Sequence, residues 1–236
     1  EYDNCCLSHA ELIAIKSASK ILNNWRLCDC DIYVTGSNSK LFSSELSTLV
    51  AGRYVHINIY PFSFKEYVLY KQISLTSLTT KAQANLKVAL NDYLIQGGFP
   101  ELLIENNKHD YVMGLLDAII KRDITKRFKV RYPEVLQRLA TYMMDNFAQE
   151  YNASTLSGLF GVTDHTIDTY CHYLQEAFLL HSVHKFSYKS RERMHGEKLY
   201  VIDPAFLSFR SNTFNTQNMG WRLENAVFIE LLHRAS

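Results

Sequence analysis

Residues 152–180 contain two short amphipathic segments separated by a glycine, and this pattern restricts the fold of the chain more than any other. Ser154 or Thr155 can cap the first helix, because either hydroxyl accepts a hydrogen bond from a free backbone N–H group. Gly161 supplies a tight turn, and Thr163 can cap the second helix. The spacing therefore predicts a helix-turn-helix.

Strand patterns follow this pair of helices. Residues 180–186 alternate between apolar and polar side chains, and the polar residues 187–198 separate them from an apolar strand at 199–202. Upstream, Pro133 begins a helix with a broad apolar face. Helices followed by a hairpin predict a winged helix over residues 132–202.

The first quarter of the chain has the pattern of an α/β unit. Residues 8–26 place apolar side chains at helical intervals, and residues 32–35 are predicted to be a buried strand. A helix is predicted over 41–50, and residues 53–60 alternate in the manner of a half-buried strand. A strand, a helix and a strand in succession indicate α/β architecture.

The middle of the chain is predicted to be helical. Helices over 64–70, 86–95 and 111–124 are separated by polar or Gly/Pro-containing loops, and a last apolar helix covers 221–232. The fold class predicted for the whole chain is α+β, mostly helical.

Composition excludes several classes of protein. The chain has 25 Lys plus Arg against 24 Asp plus Glu, a net charge of +1, so any basic surface must be local. Its apolar runs are far shorter than the roughly 20 residues that cross a bilayer, and we expect no membrane partner. The five cysteines are interpreted as reduced thiols of a cytoplasmic protein. Residues 1–6 have neither an initial Met nor a signal sequence, so we expect the chain to begin within a longer protein.

The segment Gly36-Ser37-Asn38-Ser39-Lys40 follows a predicted strand and has the small residues that can present backbone N–H groups to a phosphate. It does not fit the phosphate-binding motif G-x-x-x-x-G-K-[ST], which occurs nowhere in the 236 residues. Taken alone, the segment is predicted to be a strand-to-helix loop.

A series of motifs runs through residues 19–236. They are DIYVTGSNSKLFSSEL at 31–46, AGRYV at 51–55, YPFSFKEY at 60–67, QGGFPE at 96–101, KRDI at 121–124, TIDTY at 166–170, LEN at 223–225 and ELL at 230–232. In composition and order they resemble the large prokaryotic family of AAA+ ATPases with a C-terminal domain of unknown function. The resemblance implies four domains: the C-terminal half of a P-loop AAA+ α/β core over 1–62, a helical lid over 63–131, a winged helix over 132–202, and the truncated start of an endonuclease-like domain over 203–236.

The resemblance also implies a nucleotide site. In such proteins a polar residue after the fourth core strand senses the γ-phosphate, which is the role of Ser37 or Asn38 here. Arg53 is similar to an arginine finger, which stabilises charge on the transferred phosphoryl group and implies an oligomer. A surface arginine in a salt bridge is the alternative for Arg53. ATP and Mg²⁺ are the cofactors of the complete family. The Walker A and Walker B motifs are absent, so we expect an N-terminally truncated chain that hydrolyses ATP poorly or not at all. The alternative that this chain binds neither ATP nor Mg²⁺ stays open.

Two basic runs predict contacts with nucleic acid. The candidate phosphate ligands are Lys126 and Arg127 in the first run and Lys189, Arg191 and Arg193 in the second. The second helix of the helix-turn-helix carries Asp164 and Asp168 and no Lys or Arg, so we expect weak binding to the phosphate backbone without reading of bases. Solvated surface is the alternative interpretation of both runs.

The last predicted helix resembles the first helix of a restriction-endonuclease-like domain, whose acids bind metal in nucleases. The later strand that would complete such a site is missing, and Glu224 is interpreted as an exposed helix residue. His181 and His184 converge with no carboxylate or cysteine pair, so we predict no metal site. Cys171 is predicted to be a core residue.

These observations lead to one functional hypothesis and two alternatives. The hypothesis is a fragment of an ATP-binding AAA+ ATPase, an ATP-dependent switch or motor that is hydrolysis-deficient on its own. The alternatives are a non-enzymatic winged-helix module that binds nucleic acid, and an inactive degenerate gene product.

Overall fold

The computed structural model describes residues 17–23, 55, 57–184, 186, 188, 197–209 and 218–235. By the packing of its Cα atoms the chain divides into two compact units, residues 1–36 and 37–236. In the first unit, residues 17–21 are helical, within the helix predicted over 8–26. The strand predicted over 32–35 and the helix predicted over 41–50 lie outside the described residues.

The described part of the second unit contains the predicted run of helices. Its elements are α1 (Phe64–Tyr70), α2 (Thr80–Gln96), a 3-10 turn (Pro100–Leu103), α3 (Lys108–Ala118) and a π-helix (Ile119–Lys126). Ser63 begins α1 with a capping box, in which the Ser63 N–H group donates to Glu66 Oε2 at 2.8 Å and the Glu66 N–H group donates to Ser63 Oγ at 3.3 Å. The helix predicted from residue 86 begins earlier, because the Thr79 hydroxyl caps α2.

The predicted helix pair and hairpin are present as regular elements. They are α4 (Pro133–Asp145), β1 (Gln149–Glu150), α5 (Ala153–Phe160), α6 (Asp164–Glu176), β2 (Leu180–His184) and β3 (Glu197–Val201). The strands form one antiparallel sheet in the order β1-β3-β2, and Leu180 faces Val201. Strand β1 is only two residues long, too short to give a pattern in the sequence.

The caps of α5 and α6 agree with the sequence analysis in part. Gly161 adopts the left-handed conformation, with φ of 68°, and Thr163 caps α6 as predicted. The prediction that Ser154 or Thr155 caps α5 is wrong, because Asn152 occupies the cap position and its side-chain oxygen accepts from both of their N–H groups.

The strand predicted over 53–60 is wrong for residues 57–60, which lie in no strand. Ile57 and Ile59 are 71% and 87% exposed. A strand requires a neighbour to accept and donate its ladder hydrogen bonds, and none of the described strands pairs with these residues.

Two hydrophobic clusters make the core of the second unit, which ends in α7 (Ala205–Ser208) and α8 (Met219–Ala235). The larger cluster extends from Leu102 to Leu207 and includes buried Cys171, which confirms the prediction for this thiol. The smaller cluster packs α1 against α2 around the buried Tyr67 and Tyr93. Helix α8 contributes side chains to both clusters and therefore lies between them.

The architecture is α+β and mostly helical, as predicted. Among the described helices, none has the length and apolar character needed to span a bilayer.

Candidate functional site

The residues predicted to contact nucleotide are Ser37, Asn38 and Arg53, and all three lie outside the described residues. The same is true of Lys189, Arg191 and Arg193 in the second basic run. Their roles remain predictions.

The first basic run, residues 121–131, is described in full. Lys126 and Arg127 are exposed at the end of the π-helix. Earlier in the run, Lys121 pairs with Asp117 at 2.7 Å and Arg122 pairs with Asp123 at 3.2 Å. The positive charge of the run is therefore concentrated in its second half.

Aromatic contacts hold this second half against α6. The ring of Phe128 stacks on Tyr173 with centroids 4.1 Å apart and planes 6° from parallel. The Tyr132 N–H group donates to the Tyr170 hydroxyl at 3.0 Å. The guanidinium of Arg127 lies 5.6 Å from the ring centroid of Phe128, a cation–π contact that leaves the arginine exposed. The structure thus places exposed cations beside α6.

Helix α6 itself presents acids to solvent. Asp164 and Asp168 are exposed, and His172 Nε2 lies 2.6 Å from Oε1 of the buried Glu176. Their negative charge repels phosphate, so any phosphate contact in this region falls to the basic run and not to α6.

A second group of polar residues is buried where α2, β3 and α8 meet. Gly98 donates its N–H group to Asp203 Oδ2 at 2.7 Å, and Ala205 donates to Asp203 Oδ1 at 2.7 Å. Gly97 has φ of 79°, and a Cβ atom there would lie 1.8 Å from Asp203 Oδ1. Gly97 of the QGGFPE motif is thus required by the close approach of the Asp203 carboxylate, and Gly98 by the close approach of the Phe62 carbonyl.

Arg222 connects α8 to the end of α2. Its side chain is buried, with 3% exposure. Its Nη1 atom donates to Leu94 O at 2.9 Å and to Ser208 Oγ at 2.8 Å, and Nη2 donates to Leu207 O at 3.0 Å.

Asn225 and Glu224 connect α8 to strand β3. Asn225 is completely buried, accepts from the Val201 N–H group and donates to Val201 O, both at 2.9 Å. Glu224, interpreted as an exposed helix residue, keeps 40% of its side chain exposed, and its carboxylate accepts from Lys198 Nζ at 2.9 Å and from the Tyr200 hydroxyl at 2.8 Å. The hydrogen bond from Lys198 lowers the pKa of Glu224.

The C-terminal end of α8 reaches residues 60–66. His233 Nε2 lies 2.9 Å from Pro61 O, and His233 Nδ1 lies 3.5 Å from Glu66 Oε2. The neighbouring Phe62 donates to Gly98 O at 2.8 Å and accepts from the Tyr93 hydroxyl at 2.9 Å. We call the residues Phe62, Tyr93, Gly97, Gly98, Asp203, Arg222, Glu224, Asn225 and His233 the polar junction.

Burial changes the ionisation of two groups at or near the polar junction. It raises the pKa of Asp203 to about 7, against the opposing effect of its backbone donors. Burial lowers the pKa of His181, whose Nε2 atom has no hydrogen-bond partner among the described residues. The rings of Tyr60, Phe178 and Phe228 surround this imidazole.

Four residues of the polar junction are not among the site residues predicted from the sequence: Asp203, Arg222, Asn225 and His233. The sequence held one signal for two of them, because Arg222 and Asn225 lie among the apolar residues of the last predicted helix and polar side chains buried there need hydrogen-bond partners. Within the described part of the chain, no three His, Cys, Asp or Glu side chains are grouped to hold a metal ion.

Comparisons with known proteins relate the chain to two families and to uncharacterized relatives. Residues 11–68 match the family described as "AAA domain", and residues 87–217 match the family described as "Domain of unknown function (DUF8612)". An uncharacterized protein of Haemophilus influenzae is 33% identical over 233 residues, which are 95% of this chain and 56% of that protein. An uncharacterized protein of Methanocaldococcus jannaschii is 33% identical over 232 residues, which are 90% of this chain and 51% of that protein.

The chain therefore spans about half the length of the curated relatives it matches. No solved structure matches it. The match to the DUF8612 family, over residues 87–217, covers more than half of the chain, and the match to the AAA domain precedes it. The chain therefore belongs to the DUF8612 family and combines this domain of unknown function with an AAA domain.

Proposed function

We propose that the chain is part of an AAA-type ATPase that acts as an ATP-dependent switch. The observation that carries this proposal is the match of residues 11–68 to the AAA domain, a range that contains the candidate residues Ser37, Asn38 and Arg53. Ser37 or Asn38 senses the γ-phosphate of ATP, and Arg53 supplies positive charge to the phosphoryl group from its own or a neighbouring subunit. Mg²⁺, as in AAA proteins generally, would neutralise the phosphate charge.

Hydrolysis by these 236 residues alone is proposed to be slow or absent. The motif G-x-x-x-x-G-K-[ST] does not occur in them, and it is the loop that surrounds the phosphates in P-loop enzymes. The proposed domains are a partial core over 1–62, a helical lid over 63–131, a winged helix over 132–202 and the beginning of an endonuclease-like domain over 203–236. The strand order β1-β3-β2 behind α5 and α6 supports the winged helix.

Titration with a fluorescent ATP analogue and Mg²⁺ tests this function, together with a phosphate-release assay. The test compares this chain with the full-length Haemophilus relative. Asn38→Ala or Ser37→Ala should weaken the binding of the ATP analogue by the chain. Arg53→Ala should change the affinity for the analogue by no more than about twofold, but it should reduce phosphate release in an assembly that hydrolyses ATP. Arg138→Ala is the matched control, because Arg138 is exposed and lies over Phe160, outside the AAA match.

Each result has a clear meaning. Rapid hydrolysis by the chain alone would refute the proposed deficiency. Absence of nucleotide binding by both proteins would refute the proposed function. Size measurements with and without ATP test the oligomer that an arginine finger from a neighbouring subunit requires.

A second candidate function is weak, sequence-independent binding of nucleic acid. The observation that favours it is the stacking of Phe128 on Tyr173, which fixes exposed Lys126 and Arg127 beside α6. Binding of duplex DNA should weaken as salt rises, and the slope of log K against log[salt] should fall by about one for each phosphate ligand that a substitution removes. Lys126→Ala and Arg127→Ala should each reduce the slope, whereas the exposed Lys87→Ala control in α2 should not. A salt-independent affinity would refute this function.

A further inference from the structure

The polar junction joins two parts of the chain that the proposed function assigns to different domains. Residues 60–66 are at the C-terminal end of the AAA match, and strand β3 belongs to the proposed winged helix. We infer that the polar junction is a coupling element: it holds residues 60–66 and β3 in one arrangement, so that displacement of either is transmitted to the other. This inference rests on the proposed function for what drives the displacement.

Both backbone groups of Phe62 are hydrogen-bonded. Its N–H group donates to Gly98 O, and its carbonyl accepts from the Tyr93 hydroxyl. A Cβ atom on Gly98 would lie 2.1 Å from Phe62 O, so no larger residue fits there. Displacement of residues 60–66 away from Tyr93 and Gly98 would break the two hydrogen bonds of Phe62.

Helix α8 contacts the same segment from another direction. A carbonyl oxygen only accepts hydrogen bonds, so His233 Nε2 must carry the proton that it shares with Pro61 O. The other imidazole nitrogen faces Glu66, whose carboxylate also accepts from Ser63 in the capping box of α1. Helix α8 thus contacts Pro61 near the beginning of the segment and Glu66 in the first turn of α1.

Helix α8 and Gly98 also hold β3 and the residues that follow it. Asn225 bonds both backbone groups of Val201, and Glu224 bonds Tyr200. Asp203, which lies two residues after β3, accepts from Gly98. The contacts therefore form a closed circuit from Phe62 through Gly98 and Asp203 to β3, and back along α8.

A closed circuit of hydrogen bonds behaves differently from a set of separate contacts. Separate contacts open independently, whereas members of one cooperative unit open together with a common free energy. Two amides report on the two ends of the circuit: Phe62 N–H, bonded to Gly98, and Val201 N–H, bonded to Asn225.

Residue-resolved amide hydrogen exchange on the whole chain tests the inference. Tyr93→Phe removes the hydroxyl that donates to Phe62 O and keeps the buried ring. We expect the exchange rates of both Phe62 and Val201 to rise by about fivefold, the factor for one hydrogen bond. Tyr200→Phe removes a contact on the opposite side of the circuit and should raise the rate of Phe62 by a similar factor, since coupling is reciprocal.

The control is Tyr170→Phe, which removes a hydroxyl of the same type that accepts from Tyr132 outside the polar junction. It should leave both reporter amides unchanged. A rise at Phe62 alone in Tyr93→Phe, no rise at either amide, or an equal rise in the control would each overturn the inference.

Hydrogen exchange in the presence of the ATP analogue distinguishes failure of this inference from failure of the proposed function. Saturation with the ATP analogue and Mg²⁺ should change the exchange rates of Phe62 and Val201 in the same direction. If the analogue does not bind, the proposed function fails, while the results of Tyr93→Phe and Tyr200→Phe still decide whether the polar junction couples the two segments. If it binds and only Phe62 responds, the coupling is refuted and nucleotide binding stands.

Discussion

Replacement of Arg222 by methionine tests how much the polar junction contributes to stability. Methionine fills a similar volume, but the substitution removes the donors to Leu94 O, Ser208 Oγ and Leu207 O. A net contribution of about 1 to 1.5 kcal/mol for each of the three bonds gives a total loss of about 3 to 4.5 kcal/mol. The loss is large because the two carbonyls stay buried without their donor.

The assay is urea denaturation followed by circular dichroism. Arg222→Met should lower the midpoint without a change in slope, which would show that stability has changed and the denatured state has not. Arg234→Met is the control, because Arg234 is an exposed residue of the same helix whose ion pair with Glu230 at 3.1 Å contributes at most about 0.5 kcal/mol. A loss below about 1 kcal/mol for Arg222→Met would refute the assignment of Arg222 as a buried support of the fold.

Three further predictions concern the same region. Gly97→Ala should destabilise the protein by more than about 3 kcal/mol, because its Cβ atom would lie 1.8 Å from Asp203 Oδ1. The control is Gly114→Ala, whose new Cβ would have no atom within 4 Å and which should be neutral or stabilise α3 by up to about 1 kcal/mol. Thermal melts compare the two variants. The raised pKa of Asp203, about 7 against 3.8, means that the folded state binds its proton more tightly, so the free energy of unfolding should fall as pH rises from 4 to 7, by at most about 4 kcal/mol. Asp203→Asn should remove this dependence in urea titrations, and an unchanged dependence would contradict the assignment. The lowered pKa of His181 affects the free energy of unfolding in the opposite direction. Its stabilising contribution is present above pH 6.5, the ordinary pKa of histidine, and is lost as pH falls through the lowered pKa of the folded state. His181→Phe should therefore reduce the loss of stability at acid pH.

The elements that the sequence predicted well are those with caps and periodic apolar faces. Gly161 and Thr163 fix the turn and the start of α6 locally, so no tertiary information was needed to find them. The early start of α2 could also have been predicted from Thr79, whose hydroxyl accepts from Ala82 N–H.

The predictions failed where long-range contacts decide the outcome. The alternation of residues 53–60 satisfies the period of a strand, but a strand also needs a partner, and the period alone cannot supply one. Glu224 remains partly exposed, but its hydrogen bonds with Lys198 and Tyr200 on β3 span more than 20 residues of sequence and do not follow from its position in the helix. Only the fold brings these side chains together.

The polar junction also changes what the family motifs can say about activity. Gly97 and Gly98 are needed because Asp203 and Phe62 approach their backbone, and Asn225 is needed because it bonds Val201. These requirements hold whether or not the chain hydrolyses ATP, since none of them involves a phosphate. Motifs such as QGGFPE and LEN are therefore arguments for the fold, and the proposed catalytic activity depends on the separate test of Ser37, Asn38 and Arg53.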